Sequence, residues 1–400
     1  MEPETPIRAT SGTNQEGASS HNRRVVIDAL RNNGQLSRAE LARATSLTKQ
    51  AISNIVEELN SEGLVEALAA VRRGRGKPFT PYRLVADGAF AIGLQIDRYV
   101  ARAMLVDFLG SPRVREQAAI SERDPQEGVA IITGIIERLC TKLEATGMDR
   151  ERVIGLGVAM PGPFGIKPRT DDIWMMAPWQ AYPLRETLSK RTGLEVEIQN
   201  DAVASAIAER MIGAAKGVDN AICLYLGYGI GAGLIINGEF YRGANGNAGE
   251  LGMVLSPFAD DRRPTLEHRA SLASLFQVLE LDPASSDLQS RIEALVTAED
   301  PRIRAWVNEA ARDLRRSIQL LEMLFDPETI ILCGGAPRQL GSMLMEAMQP
   351  LLPSISDHRD RDAPRLQQGM TDPWSVALGA AVAPISRSFD PRYSAMLKNR

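Results

Sequence analysis

Four hundred residues are enough for two to four domains, and 46 Lys+Arg against 50 Asp+Glu leave a net charge of only −4. The first 20 residues lack the apolar core of a signal peptide, no later stretch is apolar for long enough to span a bilayer, and three scattered cysteines (Cys140, Cys223, Cys333) fit neither a disulfide framework nor a zinc site. These features argue against a secreted or membrane-embedded protein and lead us to expect a cytoplasmic one. The charge is unevenly placed: residues 1–86 hold 12 Lys+Arg against 9 Asp+Glu, whereas the remainder holds 34 against 41. A basic head on an acidic body implies that only the head meets nucleic acid.

In chain order, residues 1–20 are polar and are expected to form a disordered tail. From 21 to 86 the pattern is that of a winged helix-turn-helix. Val26, Ile27 and Leu30 mark a helix with one buried face. Ser37 and Glu40 form a capping box that opens a second helix, ended by the turn Thr45-Ser46-Leu47. Thr48 then caps a third helix, which buries Ile52, Ile55, Val56 and Leu59 and stops at Gly63. The N-terminal end of this third helix would enter the major groove, presenting Thr48, Lys49, Gln50, Ser53 and Asn54 to base edges and phosphates. A glycine-rich wing follows. Arg72, Arg73, Arg75, Lys77 and Arg83 lie between Ala67 and Ala86 without an intervening acid, a run suited to phosphate contact.

Beyond Phe90, strands and helices alternate in two series, an α/β plan repeated in two halves. The first series is expected as strands 90–97 and 100–107, helix 125–146, strand 153–159, helix 183–192, strand 195–199 and helix 202–213. The second is expected as strands 220–226 and 232–237, helices 268–279 and 302–325, strand 328–333, and helices 337–349 and 374–386. Asn237-Gly238 suits a type I′ hairpin turn. The glycine run Gly227 to Gly233 is followed by a strand and hairpin rather than a helix, so it is not a dinucleotide-binding fingerprint. It reads either as a tight strand crossover or as a place where the backbone approaches a ligand, Gly229 and Gly231 included. Asn200-Asp201 ends a strand and starts a helix, which by itself reads as a helix cap.

Several blocks taken together resemble the ROK family, which joins transcriptional repressors to sugar kinases. They are Gly155-Leu156-Gly157-Val158-Ala159-Met160-Pro161-Gly162-Pro163, Ala177-Pro178-Trp179, Gln199-Asn200-Asp201-Ala202, the glycine run, Gly246-Asn247-Ala248-Gly249-Glu250-Leu251-Gly252, Leu266-Glu267 and Ile331-Leu332-Cys333-Gly334-Gly335. The resemblance spans about Asn22 to Ser386. It implies a two-lobed, actin-like (ribonuclease H-like) ATPase-type fold behind the winged helix, with lobe 1 at 87–200 completed by helix 374–386, lobe 2 at 201–373, and a tail at 387–400. It also implies that Asn200, Asp201, Glu250 and Glu267 bind sugar hydroxyls, Asp201 being the position of the kinases' general base.

The chain departs from the kinase pattern where phosphate is handled. The family's Asp-x-Gly-Gly-Thr hairpin is here Gln95-Ile96-Asp97-Arg98-Tyr99, and Tyr228 stands where kinases usually carry threonine. The family's zinc ligands are also missing: Met253 occupies the histidine position and no cysteine precedes Leu266-Glu267. The expectation is therefore a DNA-binding repressor of sugar uptake or catabolic genes, without cofactor or metal. It would be modulated by a carbohydrate-like effector and act as a homodimer or dimer of dimers on double-stranded operator DNA. The alternative is a sugar kinase with an appended DNA-binding head.

Overall fold

A computed structural model describes residues 15–72, 78–165, 176–260, 262–285, 287–358 and 360–391. The head comprises α1 (Gln15–Asn33), β1 (Gln35–Ser37), α2 (Arg38–Thr45), α3 (Lys49–Ser61), β2 (Val65–Ala67) and β3 (Pro81–Leu84), the strands forming a sheet of order β1-β3-β2. Both expected caps form. The Glu40 amide donates to Ser37 Oγ at 3.3 Å while the Ser37 amide donates to Glu40 Oε2 at 2.8 Å, and Thr48 Oγ1 accepts from the Ala51 amide at 3.2 Å. Ser46, at φ 58°, makes the sharp corner between α2 and α3. Residues 15–20 of the expected tail belong to α1, and residues 1–14 lie outside the described residues. Val71 and Phe79 exchange backbone hydrogen bonds across the base of the wing, whose tip at 73–77 lies outside the described residues.

Lobe 1 contains β4 (Phe90–Ile96), β5 (Val100–Asp107), β6 (Pro112–Ala119), α4 (Pro125–Glu144), β7 (Val153–Met160), α5 (Ala177–Ala181), α6 (Leu184–Thr192) and β8 (Val196–Asn200). Its sheet order is β6-β5-β4-β7-β8. Lobe 2 contains α7 (Asp201–Ile212), β9 (Ala221–Leu226), β10 (Ile230–Ile236), β11 (Glu239–Tyr241), α8 (Leu266–Ala270), α9 (Leu272–Leu279), α10 (Leu288–Thr297), α11 (Pro301–Phe325), β12 (Thr329–Gly334), α12 (Arg338–Ala347) and β13 (Leu366–Gln368). Its sheet order, β11-β10-β9-β12-β13, repeats that of lobe 1: the first strand is central, two antiparallel strands lie on one side and two parallel strands on the other. The expected helix 268–279 is two helices, since Ser271 leaves helical geometry to cap α9 and accept from the Ser274 amide. Asn237 and Gly238 both have positive φ, as a type I′ turn requires.

The chain then returns to lobe 1 as α13 (Ser375–Phe389), so the helix also takes in residues 387–389 of the expected tail. This return helix lies against β4 and β7 so closely that a Cβ at Gly93 would collide with the Ala377 carbonyl and one at Gly157 with that of Ala380. Residues Ser375 to Ile385 are all buried, so over this stretch the helix has no face left for contact with a second copy. Its small side chains serve close packing inside the protein instead.

The head does not hang from a linker. Val26, Ile27, Leu30 and Leu84 share one apolar cluster with Ala91, Met104 and Phe108 of lobe 1 and with Leu378, Ala381 and Ile385 of α13. Arg24 Nε donates to the Ser388 carbonyl at 3.1 Å, and the Arg31 guanidinium sits 5.4 Å from the Phe108 ring centroid. Burial pushes the Arg31 pKa down from the usual guanidinium range.

Candidate DNA interface and interlobe cleft

At the head, α3 buries Ile52, Ile55, Val56 and Leu59 and leaves the opposite side of its first two turns to solvent. Thr48, Lys49, Gln50 and Asn54 are exposed, and Ser53 is half-buried. Gln50 Nε2 donates to Asn54 Oδ1 at 2.9 Å, which orients both carboxamides on one helix face. Arg72 is exposed at the start of the wing, whereas Arg73, Arg75 and Lys77 lie outside the described residues.

The second site lies between the lobes, in a cleft enclosing about 650 Å³ and open to solvent. It brings together Asn200, Asp201, Gly229, Gly231, Glu250 and Glu267, which the chain supplies from the β8–α7 junction, the β9–β10 turn, the start of β10, the loop before α8, and α8 itself. Asn200 is both a cap and a site residue. Its Oδ1 accepts from the Ala202 amide at 2.7 Å, and its Nδ2 donates to Glu250 Oε1 at 2.9 Å. Asp201 Oδ1 accepts from the same Ala202 amide at 2.8 Å. Glu267 Oε2 accepts from the Ile230 amide at 3.3 Å, and a Cβ on Gly229 would sit only 2.7 Å from that oxygen, so a bare backbone is needed there.

Carboxyls buried close to one another resist ionising. Burial, then the charge of Asp97, raises Asp201 to about 7. Burial, then Asp201 and Glu267, raises Glu250 to about 8, against the opposing hydrogen bond from Asn200. The cleft therefore offers acceptors and, near neutral pH, some protonated carboxyl donors, a set that matches vicinal hydroxyls. Across the two lobes, the Phe164 amide donates to Asn247 Oδ1 at 2.7 Å and Asn247 Nδ2 donates to the Phe164 carbonyl at 2.9 Å.

Asp97, Arg98, Tyr225 and Tyr228 also line the cleft, although the sequence reading had not placed them in the ligand set. The signal was present, because Gln95 to Tyr99 had stood out as filling a phosphate loop with bulky groups. Arg98 is buried, donates to Glu122 Oε2 at 2.9 Å, and stacks on the Tyr228 ring with its guanidinium carbon 4.6 Å from the centroid. Tyr228 in turn meets Tyr99 and Phe276 edge-on, each at 6.2 Å between centroids. Met253 lines the cleft at 45% exposure. His268 is held by Thr265, Nδ1 to Oγ1 at 2.6 Å, and the three cysteines are buried.

The ROK family model matches residues 91–382, nearly three quarters of the sequence. The chain belongs to the ROK family. A MarR family model matches residues 24–76 of the head. A putative xylose repressor from Caldicellulosiruptor sp. is 26% identical over 352 residues, covering 83% of this chain and 87% of that protein. A β-glucoside kinase from Listeria innocua is 32% identical over 214 residues, 51% of this chain and 72% of the kinase, so the body resembles members of both branches. The crystal structure of a ROK family transcriptional regulator, a homologue of the E. coli MLC protein, superimposes with a TM-score of 0.71 at 22% identity over 95% of this chain and 99% of that one. This last likeness extends the shared fold across head and body alike.

Proposed function

We propose that this ROK protein is a transcriptional repressor whose head reads a two-fold symmetric operator and whose interlobe cleft senses a carbohydrate-like ligand. The observation that carries this reading is the path of α13. Its first residues, Ser375 and Val376, line a second compartment that shares Asp97, Tyr225 and Tyr228 with the cleft, and its last turn touches α1 of the head through Ser388 and shares a core with it. A change in lobe closure would be felt at α13 and passed to the head as rigid-body motion, with coupling on the order of 1–3 kcal/mol. The MarR-type head and the relatives named xylose repressors support the same reading. Lys49, Gln50, Ser53, Asn54 and Thr48 would face the major groove, with Arg72, Arg73, Arg75 and Lys77 on phosphates. Asn200, Asp201, Glu250 and Glu267 would hold ligand hydroxyls, with Gly229 and Gly231 close against them.

Phosphoryl transfer has less support, since Gln95 stands where the family's pattern carries a metal-serving acid, and Arg98 and Tyr228 stand where it carries glycine and threonine. Pairing of two heads would multiply affinity through effective concentration, and Leu320, Met323 and Leu324 form an exposed apolar stripe on α11 suited to contact a second copy. We place the protein in the cytoplasm with its operator. The test is to select bound fragments from fragmented genomic DNA and titrate the recovered site with and without a sugar panel, alongside an ATP-turnover assay. A selected site whose affinity shifts with one sugar, without ATP turnover, is expected. Failure to enrich any sequence, or sugar-dependent ATP turnover, would overturn the reading.

A further inference from the structure

The cleft does not end at the hydroxyl-binding groups. A second compartment of about 780 Å³ adjoins it and shares Asp97, Tyr225 and Tyr228 with it. Its walls are largely aromatic and aliphatic, with the carboxylates of Asp97 and Asp372 among them, Asp372 paired with Arg115, and it also holds two polar side chains that β4 and β5 place side by side. Gln95 and Arg102 are directly opposed in the antiparallel ladder, so they point to the same face of the sheet, and both line the compartment.

Neither is used by the fold. Gln95 is 4% exposed, yet its Oε1 has no hydrogen-bond partner among the described residues. Arg102, half-buried, has no ion-pair or hydrogen-bond partner among them. This is unusual company: the other cation at the cleft, Arg98, is held by Glu122 and Tyr228. An unpaired guanidinium beside an unsatisfied carboxamide presents a fork of N–H donors with an adjacent group that either donates or accepts. Such a pair fits a planar or tetrahedral oxyanion that also carries a hydroxyl. The first compartment disfavours an anion, because Asp201, Glu250 and Glu267 face it in addition to Asp97, which both compartments share. A ligand spanning both would therefore be uncharged at one end and anionic at the other.

We propose that the effector is an acidic sugar derivative, its hydroxyls in the carboxylate-lined compartment and its anionic terminus on Arg102 and Gln95. The inference rests on the sugar-sensing reading above and names the ligand class for it. The same chemistry is supplied by a phosphate ester or by a carboxylate, and the experiment separates the two.

The full-length protein is titrated calorimetrically with D-glucose, D-glucose 6-phosphate, D-glucuronate, D-xylose, D-xylonate and inorganic phosphate. One acidic compound is expected to bind at least about tenfold more tightly than its neutral parent, the scale of a charge-assisted hydrogen bond. Preference for the 6-phosphate assigns a phosphate ester, and preference for the glucuronate or xylonate assigns a carboxylate. In Arg102→Met the acid's advantage should collapse, and in Arg102→Lys part of it should return. Operator binding by each variant serves as the check that it is folded. Neutral sugars that bind as tightly as the acids, or an advantage that survives in Arg102→Met, would overturn this inference and leave sugar sensing standing. If no sugar binds, neutral or acidic, both fail, and binding of inorganic phosphate alone would not rescue either.

Discussion

The guanidinium of Arg98 in lobe 1 lies over the ring of Tyr228 in lobe 2, 4.6 Å from carbon to centroid, so this pair bridges the two lobes. Both residues occupy positions where the kinase pattern calls for something smaller. Tyr228 lines both compartments, and the partners of the pair, Glu122, Tyr99 and Phe276, come from both lobes.

Replacing Arg98 by alanine should destabilise the protein by about 2 kcal/mol, the scale of a desolvated cation–π contact. The midpoint of urea unfolding measures it. An unchanged midpoint would mean that the stack contributes nothing to holding the lobes together.

Lys49→Ala and Gln50→Ala should each weaken operator binding by roughly 1–3 kcal/mol while leaving binding to unrelated DNA nearly as it was. Arg72→Ala should weaken both and reduce the salt slope by about one. Fluorescence anisotropy over a range of salt concentrations on specific and scrambled duplexes distinguishes base reading from phosphate contact.

Asp201→Asn keeps the shape of the side chain but replaces an acceptor-only carboxylate with an amide. Operator affinity without ligand should survive, and the ligand's effect on it should shrink or vanish. An undiminished response would leave Asp201 as a structural group at the start of α7 and place the effector elsewhere.

Asp201 and Glu250 also impose a pH dependence on stability. Their folded pKa values, about 7 and about 8, exceed the ordinary carboxyl values of 3.8 and 4.5, so the folded state binds more protons than the unfolded one between those limits. Stability from these groups is fully present below about pH 4 and is lost as pH rises to about 8. Asp201→Asn and Glu250→Gln should therefore raise the melting temperature at pH 8 more than at pH 5. Equal effects at both pH values would show that neither carboxyl is shifted.

Leu324, 65% exposed on α11, should be critical if two copies pair there. Leu324→Asp would bury a charge in that contact and convert a dimer to monomer in sedimentation velocity runs at micromolar concentration. A wild-type protein that sediments as a monomer with and without operator would exclude pairing altogether.

Much of this was legible in the sequence because it is governed by near neighbours along the chain. The capping box at Ser37 and Glu40, the Thr48 cap and the Asn237-Gly238 turn depend on groups two to four residues apart, and each formed as expected. The proposed ligand groups Asn200, Asp201, Glu250 and Glu267 are legible as motifs, and the fold gathers them in one cleft. Strand β6 escaped notice because it is a sheet edge with one exposed face, so its sequence, PRVREQAA, shows little apolar signal.

What the sequence determined by itself was the local chemistry: which residues cap, which face of α3 is bare, which loop had lost its acid and glycines. Only the tertiary structure decided that Arg98 stacks on a residue 130 positions later, that α13 is buried between sheet and head, and that Gln95 and Arg102 lie unpaired beside the carboxyl-lined cleft. The reason is physical. Helix caps and turns are fixed by backbone geometry within a few residues, whereas a cleft between lobes is made by segments brought together through packing of the whole chain.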